Sequence, residues 1–230
     1  MALLDWNKIN KEITITYTKK KFYNKYLYKL SYNVPGIRIV HWTKNESDLK
    51  IRVLNWNDQA MMQQNLVPAD YDQLLAFYRL YQQKNETLKF RIEHNTFNIY
   101  SDSEEFLYNL ARTELKRWSY YLMVVSLVES ADDLKLLDQG FTIVKKEPSY
   151  AFRVKIREGF FKETERQGLA LYLKNLGEEI RITKLMLSRL MGNGKYFGGG
   201  YVYVSDPRLI DMLKLVAPSL IGPVNQMVSQ

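Results

Sequence analysis

The sequence predicts an α+β protein, with an N-terminal antiparallel sheet and its helices followed by a C-terminal half in ferredoxin-like β-α-β-β-α-β order. Three observations carry this. Several short segments alternate apolar and polar residues with the period of a strand, as in Glu12 to Thr18. Others repeat apolar residues at helical spacing behind Ser or Asp caps, as in Leu74, Leu75, Phe77, Tyr78 and Tyr81 after Asp70. Between residues 119 and 183 the two kinds of segment follow one another as strand, helix, strand, strand, helix, strand. With 230 residues, 46% of them hydrophobic, the chain suffices for one large domain or two small ones.

Taken in order, residues 12–18 read as a first strand and Lys21 to Tyr32 as a second, ended by Pro35-Gly36. Ile37 to Thr43 and Leu49 to Asn55 read as two more strands joined by a polar turn at 44–47, which makes a four-stranded antiparallel start. Asp58 caps a short helix through Gln64, and Pro68-Ala69-Asp70 opens a helix to Gln83. Residues 87–93 and 96–100 form a hairpin, and a helix from 101 reaches Arg117. Tyr120 to Val128 lacks alternation and reads as a fully buried strand.

A helix at 132–139, strands at 141–146 and 150–157, a helix at 163–176 and a strand at 179–183 follow. A helix at 184–191, a glycine-rich turn at 192–200, a strand at 201–204 and a helix entered through Asp206-Pro207 complete the chain. The composition suggests a basic sheet-and-helix half, 1–117, and a ferredoxin-like half with a C-terminal helix, 118–230. One fused domain is the alternative, because no Gly/Ser/Pro-rich linker separates them.

Charge is distributed unevenly. Residues 13–45 hold seven Lys and Arg and no Asp or Glu, whereas the other 197 residues hold 26 against 25. Nearly all of the net +8 therefore sits in one stretch. The same stretch carries Tyr17, Phe22, Tyr23, Tyr26, Tyr28, Tyr32 and Trp42, so it reads as a folded basic surface, whose partner would be a polyanion. Strand alternation over 21–32 would place Lys21, Tyr23, Lys25 and Lys29 on one face and most aromatics on the other.

An arginine lies between apolar neighbours in five segments read as strands: Arg38, Arg52, Arg91, Arg153 and Arg181. If those neighbours are core, the arginines point outward, and guanidinium groups suit phosphate oxygens. Lys50 accompanies Arg52, Lys89 accompanies Arg91, and Lys155 and Arg157 accompany Arg153.

Other chemistry is poorly represented. There is no cysteine, hence no disulfide, thiolate ligand or thiol nucleophile. Two histidines, His41 and His94, cannot build a His-rich metal site. The glycines of 192–200 lack the GxxxxGK[ST] spacing and read as a turn rather than an anion cradle. Asp102, Glu104, Asp132, Asp133 and Glu93 are the carboxylates left for Mg²⁺, and caps and turns already account for them. No catalytic residue, cofactor or metal is expected. The first residues lack the basic and apolar regions of a signal peptide, and the longest apolar run, 118–128, is too short for a bilayer, so a soluble cytoplasmic protein is expected.

The expected function is sequence-tolerant nucleic-acid binding to RNA or DNA. Lys19, Lys20, Lys21, Lys25, Lys29 and Arg38 would grip the backbone, Arg52, Arg91, Arg153 and Arg181 would extend the grip, and Tyr23 would stack on a base. The alternatives are a structural or assembly protein of a virus or mobile element, self-assembling or meeting an acidic protein, and a carboxylate-metal enzyme acting on nucleic acid.

Overall fold

A computed structural model describes residues 4–63, 65–83 and 86–229, so the expected helix end at Gln64 lies outside the described residues. The chain divides into two units, Met1–Ala131 and Asp132–Gln230, where the sequence suggests a border near residue 118. The α+β class read from the sequence is the class of the molecule, with one five-stranded sheet in each unit.

The first unit contains β1 (Thr14–Tyr17), β2 (Tyr28–Asn33), α1 (Arg38–Trp42), α2 (Glu46–Met62), α3 (Tyr71–Gln82), β3 (Leu88–Glu93), β4 (Thr96–Ser101), α4 (Glu104–Arg112) and β5 (Leu122–Leu127). Its sheet has the order β1-β5-β2-β4-β3, with β1 parallel to β5 and the other pairs antiparallel. Alternation separates two faces. Leu30, Ile99 and Phe90 form one apolar row, and Tyr32, Phe97 and Ile92 the next. Phe77 of α3 packs on this face, its ring 5.4 Å from Tyr32 and 5.1 Å from Phe97.

Three expectations fail here, each for a local reason. The expected strands at 37–43 and 49–55 are α1 and α2. Their β-branched residues point to strands, but Asn45 is a helix N-cap, accepting from the Asp48 amide at 2.8 Å. Asp48 in return accepts from the Lys44 amide at 2.9 Å, and Leu49, Val53 and Ala60 form the buried face. The strand expected from Lys21 begins only at Tyr28. Before it, Phe22 and Tyr26 bridge a tight turn in which Tyr23 and Asn24 take positive φ of 55° and 57°. Phe22, Tyr23 and Tyr26 all gather on Tyr100, an aromatic burial that a straight strand would forgo. The helix expected to reach Arg117 stops at Arg112, and a short 3-10 stretch occupies Lys116–Tyr121.

At the border stands α5 (Ala131–Asp138), followed by β6 (Thr142–Val144), β7 (Phe152–Phe160), α6 (Glu163–Asn175), β8 (Ile180–Arg181), α7 (Lys184–Met191), β9 (Tyr196–Val204), α8 (Pro207–Val216) and β10 (Ile221–Ser229). The β-α-β-β-α-β order expected over 119–183 is present along the chain as β5 to β8. Its first strand joins the first sheet, and the other three join the second.

The second sheet has the order β6-β10-β7-β9-β8. One face, with Val154, Ile156, Val202 and Val204, packs against Leu169 and Leu173 of α6, Met186 and Leu190 of α7, and Ile210 and Leu213 of α8. Two features depart from the sequence reading. The proline-interrupted tail is the strand β10, and Pro223 falls where the β10–β7 register shifts between Ile221 and Val224, so its missing N–H spares the ladder. The glycine-rich turn is largely strand β9. A side chain at Gly200 would meet the Met186 sulfur at 2.6 Å, so glycine there leaves room for the Met186 side chain of α7 on the sheet.

Candidate nucleic-acid interface

The second sheet's other face is polar and cationic. The register sets Asn225, Arg153, Tyr203 and Arg181 side by side across β10, β7, β9 and β8, with Lys155 beside Tyr201 in an adjoining row. Arg153 and Arg181, far apart in sequence, thus flank a single tyrosine. Lys155, Arg157, Arg181 and Tyr201 are exposed, and Arg153 is partly buried. The Arg153 guanidinium lies 4.8 Å from the centre of the Tyr201 ring, and its Nη2 donates to Thr142 Oγ1 at 3.4 Å. Its buried Nε has no hydrogen-bond partner among the described residues. Arg153, Lys155, Arg157 and Arg181 form no ion pair among the described residues.

Beside this row is a recess of about 350 Å³ bounded by the 148–150 turn, Arg181, Thr183, Tyr201, Tyr203 and Met227. The turn is held over β8 by the Tyr150 hydroxyl, 3.4 Å from the carbonyls of both Glu178 and Ile180.

The first unit also has a polar sheet face. One row crosses all five strands as Thr16, Ser126, Lys29, Tyr100 and Lys89, and the next as Thr14, Val124, Ser31, Asn98 and Arg91. Lys29 and Arg91 thus share a face. That face is covered by the chain's own 22–26 turn. Tyr23 packs edge-on to Tyr100, receives a hydrogen bond from Arg91 at 3.2 Å, and carries the Lys89 ammonium 4.8 Å from its ring centre.

Lys29 sits 5.6 Å from the Phe22 ring centre, and burial holds its pKa below the usual lysine value, against an opposing pull from Glu93. Arg91 pairs with Glu93 at 2.8 Å, and the Tyr23 hydrogen bond raises its pKa further. Ser31 donates to Asn98 at 2.8 Å beneath them.

The remaining basic residues are dispersed. Lys19 pairs with Glu129 at 2.9 Å, Lys20 and Lys21 precede the turn, and Lys25 donates to the Glu86 carbonyl at 2.8 Å. Arg38 stands on α1, over Trp42 at 5.5 Å, beside a recess that it lines with His41, Ile92 and His94. Ile92 belongs to the apolar face, so Arg38 is on the opposite side of the first sheet from Lys29 and Arg91. Arg52 is on α2 and bonds Asp48 at 3.0 Å. The Lys44 amide and then Arg52 hold the Asp48 carboxyl below the usual range.

Sequence reasoning missed Tyr150, Tyr201 and Tyr203 as surface candidates. The signal was present: in Tyr201-Val202-Tyr203-Val204, period-two alternation sends both tyrosines to the face opposite two core valines. Among the described residues no cluster of three His, Cys, Asp or Glu could hold a metal ion, and no helix is long and apolar enough to cross a membrane. In comparisons with known proteins, no family model, curated protein or solved structure matches the chain.

Proposed function

We propose that the chain binds nucleic acid in a sequence-tolerant way, and that the principal contact is the cationic face of the second sheet. The observation that carries this reading is the row Arg153–Tyr203–Arg181, two arginines without a carboxylate partner on either side of an aromatic ring. Arginine presents a fork of donors to phosphate oxygens, and tyrosine offers a flat apolar surface to a base. The early lysine run contributes less, because Lys29 is partly desolvated, Lys25 is bound to a carbonyl and Lys19 faces Glu129.

A salt titration tests the reading. Four phosphate contacts, from Arg153, Lys155, Arg157 and Arg181, give a log-log slope of affinity against salt of about −3 on a single strand. Replacing Arg153, Lys155 and Arg181 together by glutamine should flatten it by about 2. Replacing Lys21, Lys25 and Lys29 together should flatten it by less than about 1. A larger effect from the lysine triple than from the other would reject this face as the principal contact.

A further inference from the structure

We infer that the recess beside this row holds one unstacked nucleobase, so that the nucleic acid engaged is single-stranded. This rests on the proposed function and adds the form of nucleic acid to it.

The recess measures about 350 Å³, the small end of the range for small-molecule sites. Its walls are chemically divided. Tyr201 and Tyr203 supply aromatic surface, Met227 supplies a polarizable thioether, Ser149 supplies a hydroxyl that can donate or accept at a base edge, and Thr183, whose hydroxyl caps α7 by accepting from the Met186 amide, keeps its O–H as a donor. Arg181 is the charged residue of the lining, and it adjoins Tyr203 in register. A base inside would therefore leave its phosphate near Arg181, and the strand could continue along the row toward Arg153 and Lys155. In a duplex the bases are paired and stacked, so no base can enter without being extruded, at a cost in free energy.

Occupancy by a base is favoured over capture of an acidic peptide by the flat rings. A carboxylate side chain would use Arg181 and leave the tyrosines idle. Tyr150 holds the turn that forms one wall, so the recess does not need a ligand to be built.

The test compares binding of the full chain to three probes at matched salt: an oligothymidylate of about ten nucleotides, a sugar-phosphate oligomer of equal length lacking bases, and a duplex of equal length. The expected result is that the abasic oligomer binds about five-fold to a hundred-fold more weakly than the oligothymidylate, with the same salt slope, and that the duplex binds more weakly as well. Tyr203→Leu should erase the difference between oligothymidylate and abasic oligomer, and Tyr203→Phe should retain it. Equal binding of the abasic oligomer, or of the duplex, overturns the base site while leaving salt-dependent polyanion binding intact. Absence of salt-dependent binding to all three probes overturns both this inference and the function beneath it.

Discussion

Arg166 is 1% exposed, and no carboxylate pairs with it among the described residues. Its Nη1 donates to the carbonyls of Arg189 and Gly192 at 3.3 and 2.9 Å, at the C-terminal end of α7, where backbone acceptors lack helical partners and the helix dipole favours a cation. The charge is thus a cap supplied from α6 to α7. Arg166→Leu should cost about 1–3 kcal/mol, because two part-buried carbonyls lose their donor. A urea-unfolding midpoint within error of the parent would refute the capping role. Nothing in the sequence around Arg166 distinguishes it from a surface arginine, since its partners lie on another helix. Arg153 differs: Phe152 and Val154 on either side announce its face, and the structure puts it there.

At the level of elements, the Met186 side chain of α7 occupies the space over Gly200 of β9. Gly200→Val should destabilise the second unit by about 1–3 kcal/mol through overpacking against Met186. Met186→Ala should recover part of that loss, and a double-mutant cycle measures the coupling; strict additivity would show that the two residues do not press on each other. These elements also show where local sequence suffices. Helices with a helical apolar period and an Asp or Ser cap, such as α3, α4 and α8, are legible because cap and period agree. In α2 the β-branched residues outvote a cap that reads equally well as a turn, and α1 has no side-chain cap to announce it. The bonding that decides the matter, the Asp48 amide to the Asn45 side chain and the Lys44 amide to the Asp48 carboxylate, is visible only in three dimensions. The strand expected over residues 21–27 fails for a longer-range reason, since the ring on which its aromatics gather, Tyr100, is on β4.

For the molecule as a whole, net charge is a poor guide to where charge is available. The sequence concentrates its excess in residues 13–45, yet the structure satisfies several of those cations locally and leaves the clearest unneutralised group on the second sheet. Buried tyrosines make the stability of the first unit sensitive to alkali. Burial raises the pKa of Tyr32 and of Tyr100, the latter with help from the Tyr23 hydroxyl. A raised folded value means full stability below the unfolded tyrosine value of about 10 and progressive loss as pH climbs toward the folded values. Urea midpoints should therefore hold steady to about pH 9 and fall above about pH 10. The fall should be shallower in Tyr32→Phe, whose lost hydroxyl has no partner among the described residues. A midpoint flat through that range would exclude the effect. The placement of β10 bears on biosynthesis. Residues 221–229 lie between β6 and β7 in the sheet, so the strand made early at 142–144 has no neighbour until the ribosome has passed Ser229. Until then β7 exposes a bare edge next to its arginines, an interval in which a chaperone or a nascent neighbour would find it open.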